Sequence, residues 1–268
     1  MDKLRKLQLV EIDLLKEFIG VCKENNLRYY MLGGTLLGAV RHKGFIPWDD
    51  DIDVGMPRKD YEKFLQIIKE KNYKNIVIDN YELNQNTLIY ITRLENSQFK
   101  IKDKSALEEK ERNAWIDIFP MDGMPNNIIL RQIHKFHLLY LRMLFKYSIF
   151  SQFVNQMDKN RPFHEKVLIK IGKVFNFEEK LSKKKCLKKL DKSMKKYDFD
   201  NSKYVVNFMG AYKFREMFPK KIYEDTKLYD FEGEKLIGPK NYDYVLTRLY
   251  GDYMMEPDDK NHHYTEIE

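Results

Sequence analysis

The chain has little cysteine and no long apolar run. Its only cysteines are Cys22 and Cys186, and they form neither a CxxC pair nor another spacing typical of zinc ligands. A structural zinc site is therefore not expected, and the composition suits a reducing cytoplasm. No stretch of about 18 apolar residues occurs, so no membrane-spanning helix is expected. Met1 to Gly20 alternates charged and apolar residues at helical spacing, which is not the pattern of a cleavable signal peptide.

Glycine is also scarce, with 12 residues in the chain, yet two glycines stand together at Gly33 and Gly34. Thr35 follows them. A turn of this kind lets the backbone approach a phosphate closely. It lacks the lysine of a P-loop and does not match GxGxxG, so by itself it is a weak signal.

A cluster of carboxylates follows the glycines at residues 49–54, and an isolated acidic run would usually be a solvated loop. The alternation from Asp51 onward predicts a strand on which Asp51 and Asp53 share one face. Like charges this close favour a cation between them, and carboxylate oxygens suit Mg²⁺. A calcium-binding EF-hand loop is excluded, because Val54 stands where glycine is required and Asp60 stands where glutamate is required.

A third carboxylate, Asp117, lies between the apolar pairs 115–116 and 118–119, and Pro120 follows them. This pattern predicts a half-buried strand. A buried carboxylate needs a partner. Three acids on two adjacent strands would form a metal triad.

These motifs together resemble the LicD family. The resemblance is carried by segments 33–35, 41–53, 115–123 and 250–254, the last followed by Pro257. It covers the front half and the tail of the chain and says little about the middle. Because members of that family are similar to nucleotidyltransferase-fold enzymes, the resemblance implies an α+β fold. The expected architecture is a nucleotidyltransferase-like mixed sheet flanked by helices, with a basic helical insertion.

The resemblance also implies an activity. The family transfers a phospho-substituent from a CDP-linked donor to a sugar hydroxyl and releases CMP. Phosphocholine from CDP-choline is the first expectation, and eukaryotic relatives use CDP-ribitol. The implied acceptor is a glycan, such as a cell-surface polysaccharide or teichoic acid precursor, including one carried on lipid. One or two Mg²⁺ ions would be held by Asp51, Asp53 and Asp117, and Asp117 would also take the proton of the acceptor hydroxyl.

Further site residues are expected within the same motifs. The donor phosphates would meet the glycine turn and three neighbouring cationic or titratable side chains: Gly33, Gly34, Thr35, Arg41, His42 and Lys43. Surface salt bridges are the alternative for Arg41 and Lys43. A choline group would need aromatic side chains around its quaternary ammonium, and the candidates are Trp48, Trp115, Tyr250 and Tyr253. Core packing is the alternative for all four and is favoured for Trp115.

Positive charge is concentrated in the middle of the chain. Residues 131–196 contain 18 Lys and Arg against five Asp and Glu, a net charge of +13, whereas the whole chain carries +7. Bulky apolar residues occur there at helical spacing. A basic amphipathic helix of this kind suits an anionic membrane, here the inner face of the plasma membrane. The alternative is a helical subdomain packed inward. Nucleic acid is not an expected partner, because few aromatic residues accompany the lysines after Phe177.

Three segments are expected: a catalytic core at 1–125, the basic helical insertion at 126–200, and a C-terminal segment at 201–268 that completes the active site. The predicted helices span about 4–25, 58–71 and 243–250, and another begins at 35. The predicted strands span about 29–32, 51–55, 76–79, 88–94 and 115–119, and a hairpin turn lies at 231–234.

Two other functions stay open at this stage. The metal triad alone would also permit a nucleotidyltransferase that adds a nucleotide monophosphate to RNA or to a small molecule. A non-catalytic adaptor at the membrane surface, with acids that bind a structural ion, is the second alternative. The sequence does not determine the donor's cargo, the acceptor sugar, the number of metal ions or the oligomeric state.

Overall fold

The computed structural model describes residues 2–71, 73–84, 87, 90–103, 110–149, 177–256 and 265–267. The helices are α1 (Lys3–Glu24), α2 (Gly33–Arg41), α3 (Arg58–Glu70), α4 (Ile128–Tyr147), α5 (Phe177–Lys180), α6 (Lys183–Met194), α7 (Lys221–Glu224) and α8 (Tyr242–Tyr250). The strands are β1 (Tyr30–Met31), β2 (Asp53–Pro57), β3 (Ile76–Asp79), β4 (Thr92–Asp103), β5 (Lys110–Met124), β6 (Tyr204–Val206), β7 (Met217–Pro219), β8 (Thr226–Phe231), β9 (Glu234–Pro239) and β10 (Thr265–Ile267).

A mixed sheet forms the centre of the fold. Its strand order is β1-β2-β5-β4-β10, with β3 also paired to β4 and with β6 and β7 continuing from the end of β5. Strands β2 and β5 run parallel, and the other pairs are antiparallel. Helices pack on this sheet, so the predicted α+β class with a mixed sheet is confirmed. The parallel pair matters most, because it sets Asp53 beside Asp117.

Apolar periodicity explains why α1 and α3 pack where they do. Leu7, Leu14 and Phe18 recur at helical spacing on α1, and all three are buried. The Phe18 ring contacts the Phe64 ring of α3 edge to face, with centroids 5.3 Å apart. One face of each helix therefore covers the sheet, and the charged residues of α1 other than Glu11 are exposed or partly exposed.

Two predicted strands differ from the structure. Strand β2 begins at Asp53, so Asp51 lies in the loop that precedes the strand and not on the strand itself. The predicted strand at 88–94 corresponds to β4, which begins at Thr92 and continues to Asp103; residues 88 and 89 lie outside the described residues. Alternation identified the buried centre of each strand, but the ends depend on pairing with neighbouring strands that lie far away in sequence.

The predicted hairpin turn is present between β8 and β9. Glu232 and Gly233 both have positive φ, at 53° and 86°, as a two-residue type I′ turn requires. The Glu232 backbone N–H donates to the Lys43 carbonyl at 2.9 Å, and Arg5 of α1 pairs with the Glu232 carboxylate at 2.7 Å. The hairpin thereby fastens the loop that follows α2 to the N-terminal helix.

The basic segment contains α4, α5 and α6, and residues 150–176 of it lie outside the described residues. Helices α4 and α6 share an apolar cluster that includes Leu138, Phe145 and Leu190, together with Met124 of β5 and Val206 of β6. This cluster therefore draws on all three predicted segments, whose division stays a prediction. None of the described helices is long and apolar enough to cross a membrane.

Candidate active site

The two glycines open helix α2 directly against the acidic residues. Gly33 has φ of +46°, and a β-carbon at this position would lie 3.4 Å from Asp53 Oδ2. A β-carbon on Gly34 would lie only 2.6 Å from Asp49 Oδ2, which is too close for any real side chain. The buried Thr35 hydroxyl accepts a hydrogen bond from the Asp53 backbone N–H at 2.8 Å. The first turn of α2 is thus fastened to the start of β2.

Asp53 and Asp117 are direct neighbours in the parallel register of β2 and β5. The Asp117 backbone N–H donates to the Ile52 carbonyl at 2.9 Å. Residues that flank the two acids, such as Val54 and Ile118, are fully buried on the other face of the sheet. Both carboxylates therefore project from one face, as the alternation predicts.

Arg93, which the sequence analysis did not select, completes this row on the adjacent strand β4. It is paired with Asp117 in the antiparallel register, and its Nε donates to Asp117 Oδ1 at 3.0 Å. The guanidinium also lies over the Trp115 ring, 4.0 Å from the centroid. Arg93 thus fixes the orientation of Asp117. Its only signal in the sequence is a cation near the end of the mostly apolar segment 88–94.

Glu11 is a second residue that the sequence analysis missed. It lies on α1, it is almost completely buried, and its Oε2 has no hydrogen-bond partner among the described residues. Burial raises its pKa well above the ordinary value, and the charges of Asp51, Asp50, Asp49 and Asp117 raise it further. One signal could have revealed Glu11, since it occupies a position in the apolar stripe of α1, where a carboxylate is costly.

The pKa values of the acids indicate an excess of negative charge in this region. Burial raises the pKa of Asp51 well above its usual range, and the charges of Asp49 and Asp117 add to this effect. The pKa of Asp53 is also raised well above its usual range, by burial first and by Asp51 and Asp117 next. A cation bound among these acids would relieve their mutual repulsion. The residues present therefore fit a hard divalent cation.

The acids do not form a ready-made metal site. Within the described ranges, no three carboxylate, imidazole or thiolate groups are arranged closely enough to hold a metal ion as they stand. Arg93 already binds Asp117 Oδ1 at 3.0 Å. The triad of Asp51, Asp53 and Asp117 therefore stays a prediction. To bind a cation as a triad, the three side chains would have to move closer to one another.

The other predicted phosphate contacts lie elsewhere. Arg41, His42 and Lys43 come at the far end of α2, about 12 Å from the glycines by helix rise. The Arg41 guanidinium contacts the C-terminal segment, with Nη1 donating to the Tyr253 carbonyl at 3.3 Å and Nη2 3.4 Å from Glu256. The structure does not bring these three residues beside the glycine turn, because the helix continues to Arg41 before the chain turns.

The four aromatic candidates have different surroundings. Tyr250 lies near Asp53, since a β-carbon on Gly33 would be 3.5 Å from the Tyr250 hydroxyl and 3.4 Å from Asp53 Oδ2. The Tyr253 hydroxyl instead donates to Asp243 Oδ1 at 2.8 Å. The Trp115 ring is already in contact with the Arg93 guanidinium. Trp48 is half-buried and packs against the main core, adjacent in the chain to the acidic loop. Tyr250 is thus the candidate that the fold brings to the acids.

Residues of the C-terminal part reach the same region. The Tyr250 ring contacts the Tyr212 ring edge to face, with centroids 5.6 Å apart. The Tyr212 backbone N–H donates to Glu216 Oε1 at 3.0 Å, and the Asn207 amide donates to Glu216 Oε2 at 2.8 Å. Burial raises the pKa of Glu216 to about 7. The buried Glu216 carboxylate therefore holds the backbone of Tyr212, whose ring packs against Tyr250.

Comparison with known proteins agrees with this architecture. Residues 26–164 match the family model described as LicD/FKTN/FKRP, nucleotidyltransferase domain. The lipopolysaccharide cholinephosphotransferase LicD of Haemophilus influenzae is 30% identical over 98% of this chain and 97% of its own length. Human ribitol 5-phosphate transferase FKRP is 48% identical, over 16% of this chain and 8% of that protein. An uncharacterised protein of Rickettsia typhi, RT0683, is 46% identical over 21% of this chain and 18% of its own. The chain therefore belongs to the LicD/FKTN/FKRP family.

Proposed function

We propose that this protein is a phosphotransferase that moves a phospho-substituent from a CDP-linked donor to a sugar hydroxyl of a cell-envelope glycan. Two relatives support the reaction class, because one is named a cholinephosphotransferase and the other a ribitol 5-phosphate transferase. The first of them is similar along almost the whole chain, so phosphocholine is the preferred cargo. The cytoplasmic location stays a prediction from the cysteine-poor composition.

The observation that carries the proposal is the pairing of Asp53 with Asp117 on parallel strands, directly beside the glycines that open α2. Acids on one face of a sheet next to a close backbone approach suit a phosphorylated ligand with a divalent cation. One or two Mg²⁺ ions held by Asp51, Asp53 and Asp117 would neutralise the donor's diphosphate and stabilise the leaving nucleotide.

The side chains have separate tasks in this proposal. The glycines leave space for the donor phosphates, since a side chain there would occupy the volume beside Asp49 and Asp53. Arg93 holds one oxygen of Asp117 at 3.0 Å, which orients the carboxylate to accept the proton of the attacking hydroxyl. Tyr250 is the preferred aromatic neighbour for a quaternary ammonium.

A second function has one supporting observation, since the matching family model describes a nucleotidyltransferase domain. A nucleotidyltransferase would release pyrophosphate from a nucleoside triphosphate, whereas the proposed reaction releases CMP from a CDP-linked donor. Incubation with both classes of donor, with detection of CMP and pyrophosphate, separates the two.

The proposal predicts different effects for the acids. Asp51→Asn should abolish transfer and also weaken cation-dependent donor binding, because a cation ligand serves both. Asp117→Asn should keep donor affinity within a modest factor but reduce transfer about 10²- to 10⁴-fold, as loss of a general base does. Calorimetric donor affinity with Mg²⁺ and single-turnover transfer measure the two effects.

Asp13→Asn is a matched control, since Asp13 is an exposed acid of α1 that pairs with Lys16 of the same helix. It should change neither measurement. If Asp117→Asn lost donor affinity as completely as Asp51→Asn, Asp117 would be a plain cation ligand. Near-normal transfer by both variants would refute the site.

A further inference from the structure

Helix α4 has two apolar faces, and the fold uses one of them. The inner face carries Leu138, Leu141 and Phe145, which are buried in the cluster shared with α6. The outer face carries an apolar stripe whose members alternate at spacings of four and three residues. These are Ile129, Ile133, Phe136, Tyr140 and Met143, with exposed fractions of 67%, 60%, 72%, 53% and 37%.

Such a stripe needs an explanation. Single exposed apolar residues are normal, but a continuous row along one helix is not, because soluble proteins rarely expose large apolar patches without a function. The stripe is widened by Ile128 and Leu130 at the start of α4, and both are exposed. Inward packing accounts for the inner face of α4 and leaves the outer face unexplained.

Exposed cations lie on the helices that neighbour α4. A crevice of about 240 Å³ between α4 and α6 has an apolar floor that includes Leu141 and Leu144. Its edge carries Lys180, Lys185 and Lys189, all of which are exposed. The helices next to α4 therefore carry exposed positive charges, on α5 and α6, along the edge of the crevice that Leu144 of α4 lines.

We propose that the apolar stripe of α4 docks onto a lipid bilayer that contains anionic phospholipids. A bilayer accommodates both features at once, since apolar side chains enter the interface while lysines meet anionic headgroups. A second copy of this chain would bring two segments of net charge +13 together. Residues 150–176 carry five Lys and Arg against two acids, so that segment would add positive charge and would not neutralise the lysines. Charge complementarity therefore favours the anionic membrane.

The proposal does not rest on the transferase reaction, and its test needs no donor. The full-length protein is co-sedimented with phosphatidylcholine vesicles, with and without phosphatidylglycerol. Wild type should bind the anionic vesicles, and binding should fall as salt rises. The double variant Ile133→Ser, Phe136→Ser should have a vesicle partition coefficient about tenfold lower than wild type, or lower still, because two apolar side chains that enter the bilayer are lost.

The charges are tested separately. Lys185→Gln with Lys189→Gln should lower the partition coefficient about fivefold per lysine. Two matched controls should bind like wild type. Leu228→Ser changes an equally exposed apolar residue of β8. Lys69→Gln with Lys74→Gln changes two exposed lysines outside the basic segment.

Three results would overturn the proposal. The first is equal vesicle binding by wild type and the α4 variant. The second is a wild-type dimer, measured by sedimentation equilibrium, that dissociates in the α4 variant, since the stripe would then bind a second copy. The third is a large fall in the melting temperature of the α4 variant without lipid, which would show that the chain itself covers the stripe.

Discussion

At the scale of single residues, the acids beside the glycine turn differ in how their charge is balanced. Asp117 is held by the Arg93 guanidinium at 3.0 Å. Among the described residues, Glu11 Oε2 has no hydrogen-bond partner, and burial raises the pKa of Glu11 well above the usual range. The folded protein without a cation therefore favours the protonated form of Glu11, whereas the unfolded chain releases that proton near the ordinary pKa.

This difference predicts a pH dependence that Glu11→Gln should remove. Because the folded-state pKa is raised, the contribution of Glu11 to stability is largest at pH values below the unfolded-state pKa and falls as pH rises above it. In EDTA, Glu11→Gln should thus be increasingly more stable than wild type as pH rises from about 4.5 to neutrality. Urea unfolding at a series of pH values measures this difference.

Glu17→Gln is the control for Glu11, since Glu17 is an exposed acid on the same helix. Its stability should follow wild type at every pH. The same series with saturating Mg²⁺ should show less stabilisation of Glu11→Gln than of wild type if the Glu11 charge supports cation binding. A difference in stability between Glu11→Gln and wild type that stays constant across all pH values would contradict the raised pKa of Glu11 in the folded protein.

The glycines allow a second comparison between matched residues. Gly34→Ala should lower stability by about 1 kcal/mol or more and weaken donor binding, because its β-carbon would lie 2.6 Å from Asp49 Oδ2. Gly20→Ala, within α1, has no atom within 4 Å of the new carbon. It should raise stability by about 0.5 to 1 kcal/mol through helix propensity. Chemical denaturation of both variants checks the opposite signs.

At the scale of elements, a buried ion-pair network joins the helical part to the sheet. Arg58 at the start of α3 donates through Nε to Asp122 Oδ1 at 2.7 Å. Asp191 of α6 accepts from the Tyr90 hydroxyl at 2.9 Å and lies 2.9 Å from Lys195 Nζ. The α6 helix is therefore positioned by polar contacts as well as by its apolar face.

Removal of one member of this network should be costly. Asp191→Ala should lower the free energy of unfolding by about 1 to 3 kcal/mol, because it leaves the buried Tyr90 hydroxyl without its acceptor and removes one of the two carboxylates near Arg58. Asp191→Asn should cost less, since it keeps hydrogen-bonding capacity. The control Asp230→Ala breaks an exposed pair with Lys235 and should have no measurable effect. Equal stability of Asp191→Ala and wild type would mean that apolar packing alone holds α6.

At the scale of the whole molecule, the site joins the two ends of the chain. Tyr250 at the end of α8 reaches Gly33 at the start of α2, and Arg41 contacts the carbonyl of Tyr253. The C-terminal segment thus contributes directly to the surroundings of the acids. That this segment completes the active site stays a prediction, as does the catalytic role of each aromatic residue.

Tyr250 and Tyr253 can be separated by their contacts. Tyr250→Ala should lower stability by about 2 kcal/mol and weaken donor binding, because it removes a half-buried ring beside the glycine turn. Tyr253→Phe should lose only the hydrogen bond to Asp243 and keep donor affinity. Denaturation and calorimetric titration of a CDP-linked donor measure both variants. Weakened donor binding by Tyr253→Ala, with normal binding by Tyr250→Ala, would move the aromatic contact from Tyr250 to Tyr253.

The sequence by itself determined the local elements and the family. Helices α1 and α3, the β8–β9 turn and the alternation that buries Val54 and Ile118 follow from apolar period and turn chemistry, which depend on nearby residues. The motif block around the acids was long enough to indicate the LicD family before any fold was known.

Only the tertiary structure decided which distant residues meet. It brought Glu11 and Arg93 to the acids, left Arg41 to Lys43 at the other end of α2, and set the start of β2 after Asp51. It also divided α4 into a buried face and an exposed one. These outcomes depend on strand register and on helix packing between segments far apart in sequence, and local patterns of charge and hydrophobicity carry no information about either.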